Sequence, residues 1–365
     1  MAALKGVNLG NWLVLEKWMH KDLFMGTSAE DETELCIQLG EERFSRLKEH
    51  RDTYITKADF VYLSERGFNA IRIPVPHFIF DDCMPYVGCI EYLDKAFAWA
   101  KETGLKILID LHTVRDSQNG FDNGGICGVC KWHLKEENLI HTRQVLIKLA
   151  QRYKGHPALY GLQFVNEPIR PDMFEAMEKA GRYPPHDPKR AEGSCGVPDD
   201  VLIQFYKDCY HDLRPILGEY VPLVFHDGFR LMLWKNVFPK EEYKNLVLDA
   251  HLYVAFGAFE KGPAAFKKVL DTSLVDFASG IREMKTHYPV IIGEWCFAYP
   301  DQGFDELDSP LAKEAAMRAS AASQLYVFEQ ADGWFFWSYK LMDGPLGWDM
   351  RKALPMGWMP ERLNV

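Results

Sequence analysis

The chain has 365 residues, with 42 Lys and Arg against 52 Asp and Glu, giving a formal net charge of −10. Hydrophobic content of 47% and charged content of 26% are ordinary globular values, which excludes a disordered or fibrous chain. No run of about 18 apolar residues occurs, so no membrane span is expected, and the acidic balance argues against nucleic acid or an anionic membrane as a partner.

The opening MAALKGVNLG enters a strand at once. It lacks the basic segment, apolar stretch and small-residue cleavage site of a signal peptide. The expectation is a protein that stays inside the cell or one whose signal has been removed, and the compartment stays open. Short β-rich apolar runs ending in a polar residue then mark strands at 4–8, 70–73, 107–110, 159–164, 222–225, 246–249, 290–293 and 334–337. Helical stretches at 57–66, 92–102, 137–153 and 199–217 lie between them, with Gly close after each as a stop signal. Strand and helix in alternation imply a parallel sheet. Eight repeats without a Gly-rich phosphate loop point to a (β/α)8 TIM barrel, read as one domain over residues 1–365.

The length beyond a minimal barrel falls in three connections. Residues 14–56 hold an acidic stretch at 30–34 and an expected helix at 40–50. Residues 116–133 form a second insertion, and the proline-rich segment 170–198 a third. Each follows a strand, so each is expected over the C-terminal face, where barrel active sites sit. Between strands five and six only 231–244 offers a helix.

Eight cysteines, at 36, 83, 89, 127, 130, 195, 209 and 296, are too few for a disulfide scaffold of this length. Cys127 and Cys130 form a CxxC, but no second pair follows at zinc spacing, so free loop thiols are the expectation over a metal or redox site.

A barrel puts its chemistry just after the strands. Those positions carry Arg72, His112, Asn166, Glu167, His226, His251, Tyr253, Glu294 and Trp337. A single Glu after a strand is more often a salt-bridge partner or a neighbour of a helix cap. Here two follow strands four and seven, in Asn166-Glu167-Pro168 and Gly293-Glu294-Trp295. Two carboxyls facing each other across a barrel mouth are what glycoside hydrolysis needs. One donates a proton to the leaving oxygen and the other attacks the anomeric carbon, so their pKa values must be split, with the acid raised and the nucleophile ionised. Arg72 and Tyr253 are candidates to hold Glu294 charged, and Asn166 to hold the sugar 2-OH. Three histidines in the same ring of positions keep a metallohydrolase as an alternative, although no HxH pair follows strand one. A non-catalytic carbohydrate-binding barrel is a further alternative.

These residues resemble glycoside hydrolase family 5, of the retaining barrel clan. The resemblance rests on Ile71-Arg72-Ile73-Pro74, Asp110-Leu111-His112, Asn166-Glu167-Pro168, His251-Leu252-Tyr253, Gly293-Glu294-Trp295 and residues 334–337, and it covers nearly the whole chain. Residues 6–16, 50–56, 117–123 and 225–229 are most similar to exo-β-1,3-glucanases of fungal type. The resemblance implies Glu167 as acid/base and Glu294 as nucleophile. It implies Arg72, His112, Asn166, His251, Tyr253 and Trp337 around the −1 sugar, and Glu16, Asp122 and Asn123 on hydroxyls of the terminal glucose. Phe121 and Phe256 would form an aromatic entrance, and His226 would join the substrate-binding set. It implies release of β-glucose from the non-reducing end of β-1,3-glucan by a monomer, without metal or cofactor. Departures at Asn11, at Lys17-Trp18, at 113–116 (where Arg115 could reach the substrate), at 126–130 and at 170–198 fall where the leaving group would lie. They keep another β-glucoside open as substrate: β-1,6-glucan, a glucosylated lipid or sterol, or a plant glycoside. An endo-acting β-glucanase also stays open.

Overall fold

In the computed structural model, residues 3–256 and 260–363 are described. Eight parallel strands close into a barrel in chain order: β1 (Leu4–Asn8), β2 (Ala70–Val75), β3 (Lys106–Leu111), β4 (Leu159–Gln163), β5 (Leu223–His226), β6 (Leu246–His251), β7 (Val290–Trp295) and β8 (Gly333–Phe336). β8 pairs with β1 through Leu4–Gly333 to Val7–Phe336, which completes the ring.

Local chemistry explains the helices. Lys57–Glu65 starts on a capping box, with Thr56 and Asp59 satisfying each other's backbone. Ile90–Thr103 stops where Gly104 turns left-handed at φ 78°. Three further helices, Gly262–Asp271, Ala278–Lys285 and Pro310–Phe328, complete the crossovers around β7. The stretch 231–244 is not the helix expected of it. Only Leu231–Trp234 makes a short 3-10 turn. Asn236 sits at φ 61°, outside the right-handed helical region, and Pro239 further on has no N–H to give.

The barrel interior is layered by the two-residue period of its strands. At the N-terminal end Leu4, Ala70, Leu108, Val224, Val247, Ile291 and Phe335 form an apolar plug. Two residues further along, the same inward positions on β2, β3, β5, β6 and β7 hold Arg72, Asp110, His226, Asp249 and Gly293. Arg72 therefore lies inside its strand, paired with Asn8 and Leu108, and not beyond its end. β6 and β7 slip register between Ala250 and His251, so that His251 stands beside Glu294. The slip is a bulge that re-aims both side chains toward the mouth.

The insertions carry their own cores. Residues 14–56 fold into the helices Glu32–Leu39 and Glu42–Tyr54, and bury Leu15, Phe24, Leu35 and Leu47 against Phe78 and Tyr86. In 170–198, the helix Pro171–Lys179 sets Phe174 against Phe121, Cys130 and Ile169. No helix among the described residues is long and apolar enough to cross a membrane.

Candidate active site

Arg72 organises the mouth. It is fully buried, and its guanidinium donates to Asn8 Oδ1 at 2.9 Å, Gln163 Oε1 at 3.0 Å, Asn166 Oδ1 at 2.8 Å and Glu294 Oε1 at 2.9 Å. It also lies 3.0 Å from Asp110. A planar fork of donors suits this ring of acceptors, where the point charge of a lysine would not. Gln163 passes a hydrogen bond on to Asp249 at 2.8 Å, and Asp249 accepts the Gly293 N–H at 2.6 Å. Asn8, Asp110, Gln163 and Asp249 thus form a polar layer under the site that the strand-end reading missed. Their signal was a polar residue two places after an inward apolar one.

Glu294 leaves β7 with both oxygens engaged. Arg72 donates to one, and the Tyr253 hydroxyl donates to the other at 2.8 Å. Glu167 follows β4 at φ 45°, a left-handed conformation costly for a non-glycine residue and typical of functional positions. It accepts from His251 Nδ1 at 2.8 Å and from Asn123 Nδ2 at 2.9 Å. The same His251 Nδ1 is 3.4 Å from Glu294. With one nitrogen between them, the nearest carboxylate oxygens are closer than the roughly 6.5–9.5 Å that inverting pairs keep for a water.

The protonation pattern reverses the expected one. Burial raises Glu167, but the hydrogen bond and charge of His251 outweigh it, and Glu167 ends below the ordinary carboxylate value. Burial lifts Glu294 above that value, against His251 and Arg72 and with the help of Glu167. Burial disfavours the imidazolium of His251, yet Glu294, Asp249 and Glu167 around it hold its pKa well above the usual range. The cause is one shared cation: whichever carboxylate hydrogen-bonds it more closely ionises first.

The remaining predicted residues divide into those at the mouth and those below it. His112 Nδ1–H donates to Asp110 Oδ2 at 2.6 Å, and the ring stacks on Trp337, ring centres 5.5 Å apart and 10° from parallel. Asn166 reaches His112 Nε2 at 3.3 Å. Glu16 accepts from the Trp18 indole at 2.8 Å. Burial and then Asp122 push its carboxyl well up, with smaller contributions from Glu294 and Glu167. Burial pushes Asp122 up to about 6. Phe256 is 61% exposed and forms an aromatic patch with Tyr253 and Trp348. Trp348 was not singled out by the sequence, Trp18 entered only as a departure, and Gln118 only as part of the matched segment 117–123. Gln118 ties the carbonyls of His112 and Asn166 together at 2.8 Å each.

Two expectations change. Phe121 does not line an open entrance: it is buried under Tyr183, ring centres 4.9 Å apart, and Tyr183 takes the outward position. His226 is fully buried beneath His251, rings 4.2 Å apart, and its Nδ1 accepts the Gly228 N–H at 2.8 Å, so it supports His251 from below. Arg115 faces His77 and His141, whose pKa values it helps to lower after burial, and no bond links it to the two glutamates. Among the described residues one group has metal-ligand proximity, Glu167, His226 and His251, with ligand atoms within 4.8 Å. Its Glu167–His251 edge is already a hydrogen bond, while the buried Nε2 of His226 has no hydrogen-bond partner.

Comparison with known proteins assigns the family. The profile described as Cellulase (glycosyl hydrolase family 5) matches residues 38–187. The chain is 33% identical over 400 residues to the probable glucan 1,3-beta-glucosidase A of Emericella nidulans, covering 99% of this chain and 91% of that one. It is 30% identical over 388 residues to glucan 1,3-beta-glucosidase 1 of Schizosaccharomyces pombe, covering 98% and 88%. The crystal structure of rutinosidase from Aspergillus niger shares the fold, with a TM-score of 0.78 at 21% identity over 98% of each chain. Full-length similarity at this level, on a barrel whose mouth holds two facing glutamates, means that the chain belongs to glycosyl hydrolase family 5 and is a glycoside hydrolase.

Proposed function

We propose that the enzyme releases β-glucose from the non-reducing end of β-1,3-glucan or its oligosaccharides, with retention, acting as a monomer. The observation that supports the chemistry is the shared His251 nitrogen, which keeps the nearest oxygens of Glu167 and Glu294 closer than the spacing of an inverting pair. Glu294 is the nucleophile: Arg72 and Tyr253 both donate to it, and both favour its anion. Glu167 is the acid/base. Its acid form arises when the 2.8 Å hydrogen bond from His251 passes its proton across, as the incoming sugar takes water away from the carboxylate. The glucosyl–Glu294 ester forms as the leaving oxygen takes that proton, and water activated by Glu167 then hydrolyses the ester. Glu16, Asp122 and Asn123, from the two large loops, hold hydroxyls of the terminal glucose. The curated relatives named glucan 1,3-beta-glucosidase support the linkage.

One observation favours a second reading. A cavity of about 370 Å³ beside Phe256 and Trp348 is lined by Tyr299, Phe304 and Trp358. An apolar leaving group, from a glucosylated lipid, sterol or plant glycoside, would find more partners there than a second glucose.

Product analysis on laminaritriose, gentiobiose, cellotriose and an aryl β-glucoside, with NMR of the first anomer released, tests both. Rapid β-glucose from laminaritriose supports the main reading, and turnover of the aryl glucoside alone supports the second. Glu294→Ala is expected to abolish turnover. Glu167→Ala is expected to retain slow attack on the aryl glucoside. Normal activity in Glu294→Ala would end both readings.

A further inference from the structure

The segments 116–133 and 170–198 meet along a short backbone seam. Cys195 N–H donates to the Cys130 carbonyl at 3.1 Å, and Cys130 N–H donates to Ser194 Oγ at 3.1 Å. Lys131 Nζ adds hydrogen bonds to the carbonyls of Arg190 and Glu192 at 2.9 and 2.7 Å. A direct N–H to O=C bond between two residues brings their Cα atoms to the spacing of about 4.4–6.8 Å that a disulfide spans. Both residues are now thiols, Cys130 fully buried and Cys195 exposed.

The surroundings give the two sulfurs different roles. Cys195 Sγ lies 3.5 Å from His133 Nε2. Burial lowers His133 to about 4, so near neutral pH its ring is uncharged and can accept a hydrogen bond from the thiol without taking its proton. Cys130 sits among Phe121, Ile169 and Phe174, and burial, with the charge of Cys195 behind it, keeps its thiol protonated. An accessible thiol next to a buried second thiol is the arrangement of an attacking and a resolving cysteine.

We propose that Cys130 and Cys195 form a reversible disulfide that fastens the 170–198 insertion to the loop bearing Asp122 and Asn123. The oxidant is a low-molecular-weight disulfide, RSSR. The exposed Cys195 gives its proton to solvent, and its thiolate attacks one sulfur of RSSR. A mixed disulfide forms and RS⁻ departs, to take up a proton. Cys130 then loses its proton and displaces the second RS⁻ from Cys195. The two protein thiols lose two electrons, and RSSR becomes two RSH. The closed loop runs from 130 to 195 and holds β4, Glu167 and Tyr183. Its effect falls on the wall where Tyr183 covers Phe121, and not on the catalytic carboxylates directly.

The test is incubation of the full chain with oxidised glutathione at neutral pH, followed by non-reducing peptide mapping and thermal denaturation. The expected result is a linked Cys130–Cys195 peptide pair and a midpoint several degrees higher, both reversed by dithiothreitol and both absent in Cys195→Ser and Cys130→Ala. A stable glutathione adduct on Cys195 with Cys130 still free would overturn the proposal, and so would pairing of either residue with a different cysteine. An unchanged midpoint with the linked pair present would overturn its fastening role.

Discussion

Arg72 and Glu32 show how single buried charges set this enzyme's behaviour. Arg72 is the positive centre for Glu294, Asp110 and, at 3.9 Å, Asp249. Arg72→Met leaves buried carboxylates without their partner, a defect that costs on the order of 3–5 kcal/mol. Chemical denaturation is expected to register that loss. Arg72→Lys keeps a charge but loses the fork, and kcat/KM is expected to fall roughly 100-fold or more. Glu32 is fully buried behind the Glu16 loop, accepts the Leu15 N–H at 3.0 Å and lies 3.8 Å from Arg51. Burial, opposed by Arg51, raises it from 4.5 to about 7. The folded chain therefore binds this proton more tightly than the unfolded one. Its stabilising contribution is complete below about pH 4.5 and is lost as pH rises to about 7. Glu32→Gln keeps the acceptor and removes the titration. Relative to wild type it is expected to be near neutral at pH 4.5 and to gain up to about 3 kcal/mol by pH 8. Denaturation midpoints across that range check the sign, and a pH-independent difference would refute the assignment.

At the scale of elements, the bulged β6–β7 pair is the critical join. A Cβ on Gly293 would strike the Asp249 carboxylate, which holds both Gln163 and the Gly293 N–H. Gly293→Ala is expected to cut kcat at least tenfold and to lower the melting midpoint, because the layer under Glu294 must move. Steady-state kinetics and a thermal melt measure the two effects. The strands themselves were legible. Parallel strands are covered on both faces and read as nearly continuous apolar runs. Their C-terminal ends were placed too early, since β2, β3, β6 and β7 each continue to Val75, Leu111, His251 and Trp295. A polar residue inside a barrel strand looks like a strand end until the ring closes around it. That is why Asp110 and Asp249 were read as boundaries and Arg72 as a terminus, although their neighbours Glu167, His251 and Glu294 were found. Phe121 lies under Tyr183, not at an open entrance, for a related reason. Which of two aromatics faces out depends on how 170–198 folds back, and short-range pattern does not encode that. The helix expected over 231–244 failed where Asn236 and Pro239 broke it.

At the scale of the whole molecule, residues 358–363 pack back onto the barrel. Trp358, Met359 and Leu363 belong to the main core, and Leu363 N–H donates to the Arg66 carbonyl at 2.8 Å. The Trp358 indole also bonds Glu314 at 3.1 Å. Trp358→Ala is expected to cost about 3–5 kcal/mol, with kcat on laminaritriose within about twofold of wild type, since Trp358 touches neither glutamate and lines only the cavity given above to an apolar leaving group. Equilibrium unfolding and a single assay separate those effects. The apolar plug of Leu4, Leu108, Ile291 and Phe335 has a consequence for traffic. It seals the barrel floor, so the mouth is a single doorway. The departing saccharide and the incoming water must use it in turn, and the glucosyl ester waits between them. Any hydroxyl-rich molecule crowding that doorway competes with water for the ester. In dilute substrate the enzyme is a hydrolase. In concentrated saccharide the same doorway is expected to divert the ester toward longer chains, and the product lengths at rising laminaritriose concentration measure it.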